Sequence, residues 1–345
     1  MSNVDLVRHA AKIARGGGHL ANEKRQYKLL KPRLRKLKVK LGKKLVHSTN
    51  TEIFECPELS KIYDRKNIVL KVFWRSTSMW GYAGAGGIST ILESTIAQNL
   101  LAMKGICPRV YDLVSVEGKT AQVTDFLTGY GKKPVVNDSR FNFYSDDWAR
   151  DHNYAGGKMF DLQGTKLKNY GDYKNLVIAE LIKRNGAHGH TTNLYQSTNY
   201  HPGLRNTKDR LDQYNFKDFK NKRVLDIGCS NGMFCRRACD LGAKRVVGID
   251  WPDMVEMAQE LAILDGYYNI DFYGCDIKNL SQRQLTEMTK INKFDIHLFL
   301  AMETHVGWPE WIKNCSTLYY EGHGRVRPFK VFHFNKNGQE VNNGS

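Results

Sequence analysis

The stretch RVLDIGCSNGMFCRRACDLGAKRVVGIDWPDMVEMAQELA, residues 223–262, restricts the fold of this chain more than any other. Val224-Leu225-Asp226-Ile227 reads as a short buried strand ending in an acid, and Gly228-Cys229-Ser230-Asn231-Gly232 as a tight turn of small residues. The spacing predicts a helix over 232–241, a second buried strand from Lys244 to Ile249 that ends at Asp250, and a helix over 253–264. A ligand that approaches the backbone of such a turn leaves no room for bulky side chains. An acid at the end of the second strand, 18 residues beyond Gly232, is placed to bind two ribose hydroxyls. A strand–turn–helix–strand unit of this kind is built to hold an adenosine nucleoside.

Dinucleotide enzymes share that logic, but their turn reads G-x-G-x-x-G and needs no leading acid. Here Asp226 stands just before the turn and Asn231 within it. D-I-G-C-S-N-G resembles the first motif of class I S-adenosylmethionine-dependent methyltransferases, and the resemblance covers residues 195–325. It implies an α/β fold, a Rossmann-like doubly wound sheet, with S-adenosyl-L-methionine as cofactor. It also implies that Asp226, Gly228, Cys229, Ser230, Gly232, Asp250, Trp251, Asp276, Ile277 and Ala301 surround that cofactor. Ile270–Tyr273 reads as the third strand, Phe294–Leu300 as the fourth and Leu318–Glu321 as the fifth. In the family, an acid at the place of Asp276 contacts the adenine amine, with the backbone of the next residue beside it. The family closes its sheet with a further helix, a sixth strand and an antiparallel seventh. Only 21 residues follow Gly324, enough for one strand at Lys330–Phe334 and a turn at Asn335–Gly338, so a shortened domain is expected.

S-adenosylmethionine carries its own leaving group, so the protein must align an acceptor and, where needed, remove a proton. The candidate bases are His305, Glu303 and His323, all at strand ends; the alternative is that they are structural or plain loop residues. The loop L-A-M-E-T-H differs from the N-P-P-Y-like loop used in amino-group methylation of bases. Residues 299–311 also lack the cysteine that carbon-5 pyrimidine methylation needs. Cys235 and Cys239 share one helix face and read as core. Upstream, Tyr195, Gln196, Arg205 and Arg210 are placed to contact the cofactor carboxylate or the acceptor, or else are ordinary packing and surface charge. A small-molecule or glycan hydroxyl is the first acceptor expected and RNA the second. A non-catalytic binding or structural protein with a degenerate methyltransferase fold is the alternative.

RNA enters because of the charge. The net charge is +17, and residues 1–50 hold 14 Lys and Arg against Asp5 and Glu23. The run KRQYKLLKPRLRKLKVKLGKKL, residues 24–45, suits phosphates on nucleic acid or an anionic surface, or else a solvated face that covers a neighbouring element. Leu37, Val39 and Leu41 alternate with lysines as a strand would, and Pro32 breaks any single helix. With 345 residues, 41% hydrophobic and 25% charged, the chain is expected to be globular and to hold two domains. No apolar run reaches membrane-spanning length. Seven cysteines without a C-x-x-C pair give neither a zinc site nor a disulfide framework, which points to a reducing, cytoplasmic location. The expected organisation is a basic arm over 1–45, an α+β accessory domain over 46–170, and a methyltransferase domain over 171–345 with its cofactor-binding core at 222–325.

In the first half, a helix is expected over 4–15, strands over 46–75, a Gly-rich stretch at 81–87 and a helix over 88–104. RVYDLVSV and TAQVTDFL read as two strands around Glu117-Gly118, and a further helix is expected over 173–185. Lys71 in NIVLKVFW, Glu93 in the next helix, and the strand pair ending at Asp125 resemble the small lobe of a protein-kinase-like fold. That resemblance implies a Lys–Glu pair that positions ATP phosphates. Asp151-His152-Asn153 and Phe160-Asp161-Leu162 stand where a catalytic loop and a metal-binding acid would follow. The glycines at 81–87, however, come after Lys71 rather than before it. The competing expectation is an α+β domain with Lys71 and Glu93 on its surface. A bifunctional kinase–methyltransferase is the corresponding alternative function.

Overall fold

The computed structural model describes residues 34–47, 51–73, 91–129, 138–142, 154–159, 166–167, 170–187, 194–197, 203–214, 216–323, 328–335 and 337–341. The expected helix at 4–15, the basic run up to residue 33, the Gly-rich stretch and the segments at 151–153 and 160–162 lie outside them. Two compact units account for the chain, residues 1–173 with 263–268, and residues 174–262 with 269–345.

The first unit is built on a six-stranded sheet. Its elements are β1 (Arg35–Lys36), β2 (Lys44–His47), β3 (Thr51–Phe54), α1 (Pro57–Tyr63), β4 (Ile68–Phe73), α2 (Ile91–Ala102), β5 (Val110–Val116) and β6 (Lys119–Asp125). The order is β1-β5-β6-β4-β3-β2, antiparallel except for β1 beside β5. Two short antiparallel ladders pair β7 (Phe141–Asn142) with β10 (Lys166–Leu167) and β8 (Tyr154–Ala155) with β9 (Lys158–Met159). α1 interrupts what the sequence presents as continuous strand. Pro57 at its first turn, with Glu58 beside it, starts the helix, and Asp64 in the left-handed region ends it. β5 and β6 join through Glu117 and Gly118, both at positive φ (49° and 74°), the geometry a two-residue hairpin turn requires.

Alternation divides this sheet into two faces. Leu70, Val72, Val114, Ala121 and Val123 form one core with Leu59 and Tyr63 of α1. Leu37 joins that core, with Val39 and Leu41 packed against it, while Lys36, Lys38 and Lys40 stay exposed. Residues 34–41 are therefore a covering segment, with the alternation of a strand. The opposite face is polar. Lys71 stands opposite Gln122, whose amide donates to Thr95 Oγ1 at 2.7 Å. Gln98 donates to Pro108 O at 2.9 Å, and Asn99 accepts from Val110 N at 3.0 Å. Lys71 is buried, contrary to the expectation of a surface residue. The Glu93 side chain lies outside the described residues.

The second unit holds α3 (Tyr170–Ala187) from Lys174 onward, β11 (Leu194–Gln196), β12 (Gly203–Arg205), α4 (Thr207–Tyr214), β13 (Arg223–Ile227), α5 (Met233–Asp240) and β14 (Arg245–Asp250). α6 (Pro252–Leu264), β15 (Ile270–Gly274), α7 (Gln282–Thr289), β16 (Ile296–Leu300), α8 (Glu303–Val306), β17 (Thr317–Glu321) and β18 (Phe329–His333) follow. The sheet order is β15-β14-β13-β16-β17-β18. The first five strands are parallel and β18 is antiparallel to β17. This is the doubly wound order, reversing direction at β13, which places a ligand crevice at the C-terminal ends of β13 and its neighbours. β18 takes the antiparallel place beside the fifth parallel strand, and among the described residues no further strand extends the sheet. Parallel strands buried on both faces read as continuous apolar runs, as β13, β14 and β16 do. Leu225, Ile227, Val247, Ile249, Phe299 and Leu318 share one core with Trp311 and Phe294. Among the described residues, no helix is long and apolar enough to cross a membrane.

Candidate active site

After β13 the backbone turns through Gly228, Ser230 and Gly232, with φ of +75°, +51° and +73°. Gly228 and Cys229 both donate to Ile249 O, at 2.9 and 3.1 Å, and Gly232 donates to Cys229 O at 2.8 Å. The positive φ of Gly228 favours glycine there, and a Cβ would lie 2.2 Å from Met302 Sδ, so Met302 packs directly over the turn. Asp250, at the end of β14, accepts Ser230 N–H through Oδ2 at 2.6 Å and Trp251 N–H through Oδ1 at 2.8 Å. Trp251 is 48% exposed and presents a flat surface beside that acid.

Asp226 lies beneath the turn, fully buried, and accepts from Cys235 Sγ at 3.1 Å. Burial pushes its carboxyl up to about 7, aided by the charge of Asp250 and opposed by the Cys235 thiol. Cys229 is enclosed too, its thiol pushed up to about 11 by burial. Neither it nor Cys235, whose thiol burial also raises, is a ready nucleophile. Cys239 is half-buried rather than core. Asp276 caps a short 3-10 helix, accepting from Lys278 N at 3.1 Å and from Asn279 Nδ2 at 2.6 Å. The side chain of Ile277 is buried in the core, and its carbonyl accepts from Leu280 N at 3.3 Å. Ala301 is buried at φ +62° and donates its N–H to Glu321 O at 2.8 Å, tying the end of β16 to β17.

The acceptor candidates gather at the ends of β16 and β17. Glu303 accepts from Tyr320 OH through Oε2 and from His323 N through Oε1 at 3.2 Å. His323 Nδ1 lies 3.1 Å from Thr304 Oγ1, and the His305 and His323 rings are 5.2 Å apart. His305 is exposed on α8. Burial, with His305 and Arg205 nearby, holds His323 below its ordinary value, against the pull of Glu303 and Glu321. His323 is therefore neutral near pH 7, the form that takes up a proton.

The segment upstream of β13 lies over the same strand ends. Gln196 O accepts from Asn231 Nδ2 at 2.7 Å, and β12 approaches so closely that a Cβ on Gly203 would lie 2.4 Å from the Gln196 backbone. Arg205 stacks on Tyr195 at 5.0 Å. Arg210 donates to Glu321 through Nη2 and to Tyr214 OH through Nε at 2.9 Å. The sequence assigns no functional role to Asn231, Tyr214 or Glu321, whereas Met302 falls in the stretch 301–305 expected to line the methyl-transfer site. Asn231 within the turn and Glu321 closing an apolar strand were the available signals.

The residues fit S-adenosylmethionine. Three buried polar atoms around the turn have no partner among the described residues: Ser230 Oγ, Gln196 Oε1 and Arg210 Nη1. An unpaired buried polar group costs about 1–3 kcal/mol, so such atoms are the mark of a site shaped for a polar ligand. The glycine cradle and the acid at the end of β14 supply the rest.

Comparison with known proteins agrees. A family model described as a methyltransferase domain matches residues 218–320. Protein arginine N-methyltransferase 1 of Saccharomyces cerevisiae is 47% identical over 49 residues, 14% of this chain and 14% of that protein. The ubiquinone biosynthesis O-methyltransferase of Nitrosococcus oceani is 32% identical over 113 residues, 32% of this chain and 44% of that protein. The chain thus spans less than half the length of either relative. Among solved structures, the bifunctional kinase-methyltransferase WbdD is similar at 22% identity and a TM-score of 0.30, over 42% of this chain and 36% of that one. By its sheet order, its turn after the first parallel strand and the family match, the segment 218–320 is a methyltransferase domain of the class I, S-adenosylmethionine-dependent kind.

Proposed function

We propose that this chain transfers a methyl group from S-adenosylmethionine to a hydroxyl of a small molecule or glycan. The observation that carries this reading is the cluster of Glu303, Thr304, His305 and His323 at the ends of β16 and β17, with the His323 ring against Thr304, its backbone N–H on Glu303 and the His305 ring 5.2 Å away. When bound, S-adenosylmethionine supplies an electrophilic methyl on a sulfonium leaving group. Gly228, Ser230 and Gly232 give that cofactor access to the backbone, Asp250 holds its ribose, and Asp276 with the Ile277 backbone borders its adenine. His323 takes the proton of the acceptor hydroxyl, and exposed His305 passes it to solvent. Glu303 acts as a positioning group, because both of its oxygens already hold donors. Arg205 and Arg210 orient the charged ends of the bound molecules.

The test is transfer of labelled methyl from S-adenosylmethionine into a cell extract split into small-molecule, glycan and lipid, RNA, DNA and protein pools. Label is expected in the small-molecule or glycan pool, absent with Asp250→Ala and at least about tenfold lower with His323→Ala. Label in RNA instead, falling steeply with salt, would shift the acceptor to nucleic acid met by the basic run at 24–45. Cofactor binding with no label in any pool would favour a non-catalytic role.

A second reading adds phosphoryl transfer in the first unit. It is supported by the buried Lys71 on a central antiparallel strand that α2 follows in the chain. ATP turnover lost in Lys71→Ala would support it, and unchanged turnover would remove it.

A further inference from the structure

Two tryptophans follow the acceptor cluster, three positions apart, and the fold uses them differently. Trp311, in the short 3-10 turn Glu310–Lys313, is 4% exposed and donates its indole N–H to Leu280 O at 2.6 Å. That is a tryptophan spent on packing, with its ring in the core and its polar atom paired. Trp308 is 49% exposed. A single exposed apolar side chain is ordinary on a protein surface, so exposure by itself assigns it nothing. Its setting does more.

The backbone fixes where the Trp308 ring stands. Gly307 ends α8 at φ +69° and donates its N–H to Glu303 O at 2.9 Å, and Pro309 follows at φ −59°. The indole packs on Tyr320, ring centres 5.0 Å apart at 35°, and on Phe299, 5.4 Å away at 60°. Phe299 and Tyr320 are register partners on β16 and β17, each one residue from the C-terminal end of its strand. Those are the strand ends at which a doubly wound sheet opens its crevice. The Tyr320 hydroxyl donates to Glu303, which in turn accepts His323 N–H at 3.2 Å. A half-exposed ring, backed by two aromatic neighbours, therefore stands two contacts from the candidate base.

The polar groups beside the ring are already engaged with one another. Glu303 holds a donor on each oxygen, and Thr304 Oγ1 faces His323 Nδ1 at 3.1 Å. A sugar ring brings several hydroxyls, each of which needs a partner once it leaves water. An aromatic ring needs a stacking face, which Trp308 offers. The base agrees with this choice, since a phenol gives up its proton near 10, far more readily than an alkyl hydroxyl, and so suits an imidazole.

We infer that Trp308 is the platform on which the ring of a phenolic acceptor stacks, with the phenol hydroxyl directed to His323. The inference rests on hydroxyl methylation as the reaction and names the acceptor class. With Nδ1–H donated to Thr304 Oγ1, His323 Nε2 takes the hydroxyl proton. The phenol oxygen bonds to the methyl carbon as the carbon–sulfur bond breaks. The products are a methyl aryl ether, S-adenosylhomocysteine and one proton, now on His323.

Initial rates of labelled methyl transfer by the full chain test this, with catechol, para-hydroxybenzoate and umbelliferone as phenols and methyl glucoside and methyl mannoside as sugars. An ether is expected on at least one phenol and on neither sugar. Trp308→Ala should raise KM for that phenol by about 10–50-fold with kcat within about threefold, the loss of a stacked ring's binding. Trp308→Leu, apolar without a flat face, should follow it, and Trp308→Phe should restore KM to within about fivefold; these two serve if the alanine variant does not fold. S-adenosylhomocysteine affinity, measured by calorimetry, should change by less than about twofold in all three. An unchanged KM in Trp308→Ala, an equal loss of S-adenosylhomocysteine, or transfer to a sugar and to no phenol would overturn the inference and leave hydroxyl methylation standing. Transfer to neither probe class, with S-adenosylhomocysteine bound and label from a cell extract only in RNA, DNA or protein or in no pool, would overturn that reading and the inference with it.

Discussion

The two six-stranded sheets of this chain spend their polar residues in opposite ways. In the first unit, Lys71, Gln122, Thr120 and Thr124 project from antiparallel strands onto one face, where they alternate with Val69, Phe73 and Leu113. In the second, polar chemistry collects at the strand tips, at Asp250 and Glu321, while both faces stay largely apolar. Connectivity explains the difference. Parallel strands need crossover helices that cover both faces, so only the ends remain for a ligand, whereas an antiparallel meander can dedicate a face. Buried ionisable groups break this rule within the second sheet: Asp226 and His297 on the neighbouring strands β13 and β16, and the Arg245–Asp271 ion pair on β14 and β15.

The largest expected effect sharpens the contrast at a strand tip. Asp250→Ala should weaken S-adenosylhomocysteine by at least about 100-fold, because a carboxylate lost from a pair of ribose hydroxyls forfeits two charged hydrogen bonds. Titration calorimetry would register this, and a loss below tenfold would count against Asp250 as the ribose acid.

Asp226 should show itself in stability instead. Its carboxyl, near 4 when unfolded, rises to about 7 in the fold. A raised value means the stability it contributes is complete below about pH 4 and is lost as pH climbs through 7. Asp226→Asn should remove that decline, worth up to about 4 kcal/mol, in denaturant titrations of both proteins across this range. Parallel curves for the two proteins would show that the carboxyl is not held neutral.

His297 should act in the opposite direction. Its Nδ1–H donates to Ile312 O at 2.8 Å, and burial lowers the imidazole to about 4. Its contribution is present above about pH 6.5 and lost as pH falls through 4. His297→Gln should flatten that acid limb by up to about 3 kcal/mol, measured as above. An unchanged limb would mean that His297 titrates normally.

The smallest effect is expected from Lys71→Met on the stability of the first unit. Replacing a buried ion by an apolar chain of similar volume is often neutral or stabilising, so a shift within about 1 kcal/mol is expected. A loss above about 3 kcal/mol would show that Lys71 is a structural member of its polar face.

Legibility of the sequence followed the range over which each constraint acts. Gly228, Gly232 and Asp250 were readable because a tight turn and a strand-end acid demand particular residue types within a few positions. The five parallel strands and the helices at 233–240 and 252–264 were placed nearly to the residue for the same reason, each apolar run being bounded by its own turn, whereas α7 (Gln282–Thr289) and α8 (Glu303–Val306) were not foreseen. α1 was missed because Pro57 and Glu58, its start signals, sit inside a strand-rich stretch. The Arg210–Glu321 pair joins residues 111 positions apart, and no local pattern announces it. His323 could be nominated from its place at a strand end, but its partner Thr304 could not.

Time separates the strands of the second sheet as well as direction. β17 and β18 are antiparallel and close within a short connection, from Glu321 to Phe329. A hairpin of that kind forms in about 1–10 μs. β13 and β16 must find each other across far more chain; Arg223 N–H meets the Asp295 carboxylate, 2.7 Å away, over a separation of 72 positions. Such non-local pairing is slow because the closing loop loses entropy before any contact compensates it. In a refolding chain the C-terminal hairpin is therefore expected to form sooner than the pairing of β13 with β16. The ligand crevice, which lies between β13, β14 and β16, is complete only once that slower pairing has closed.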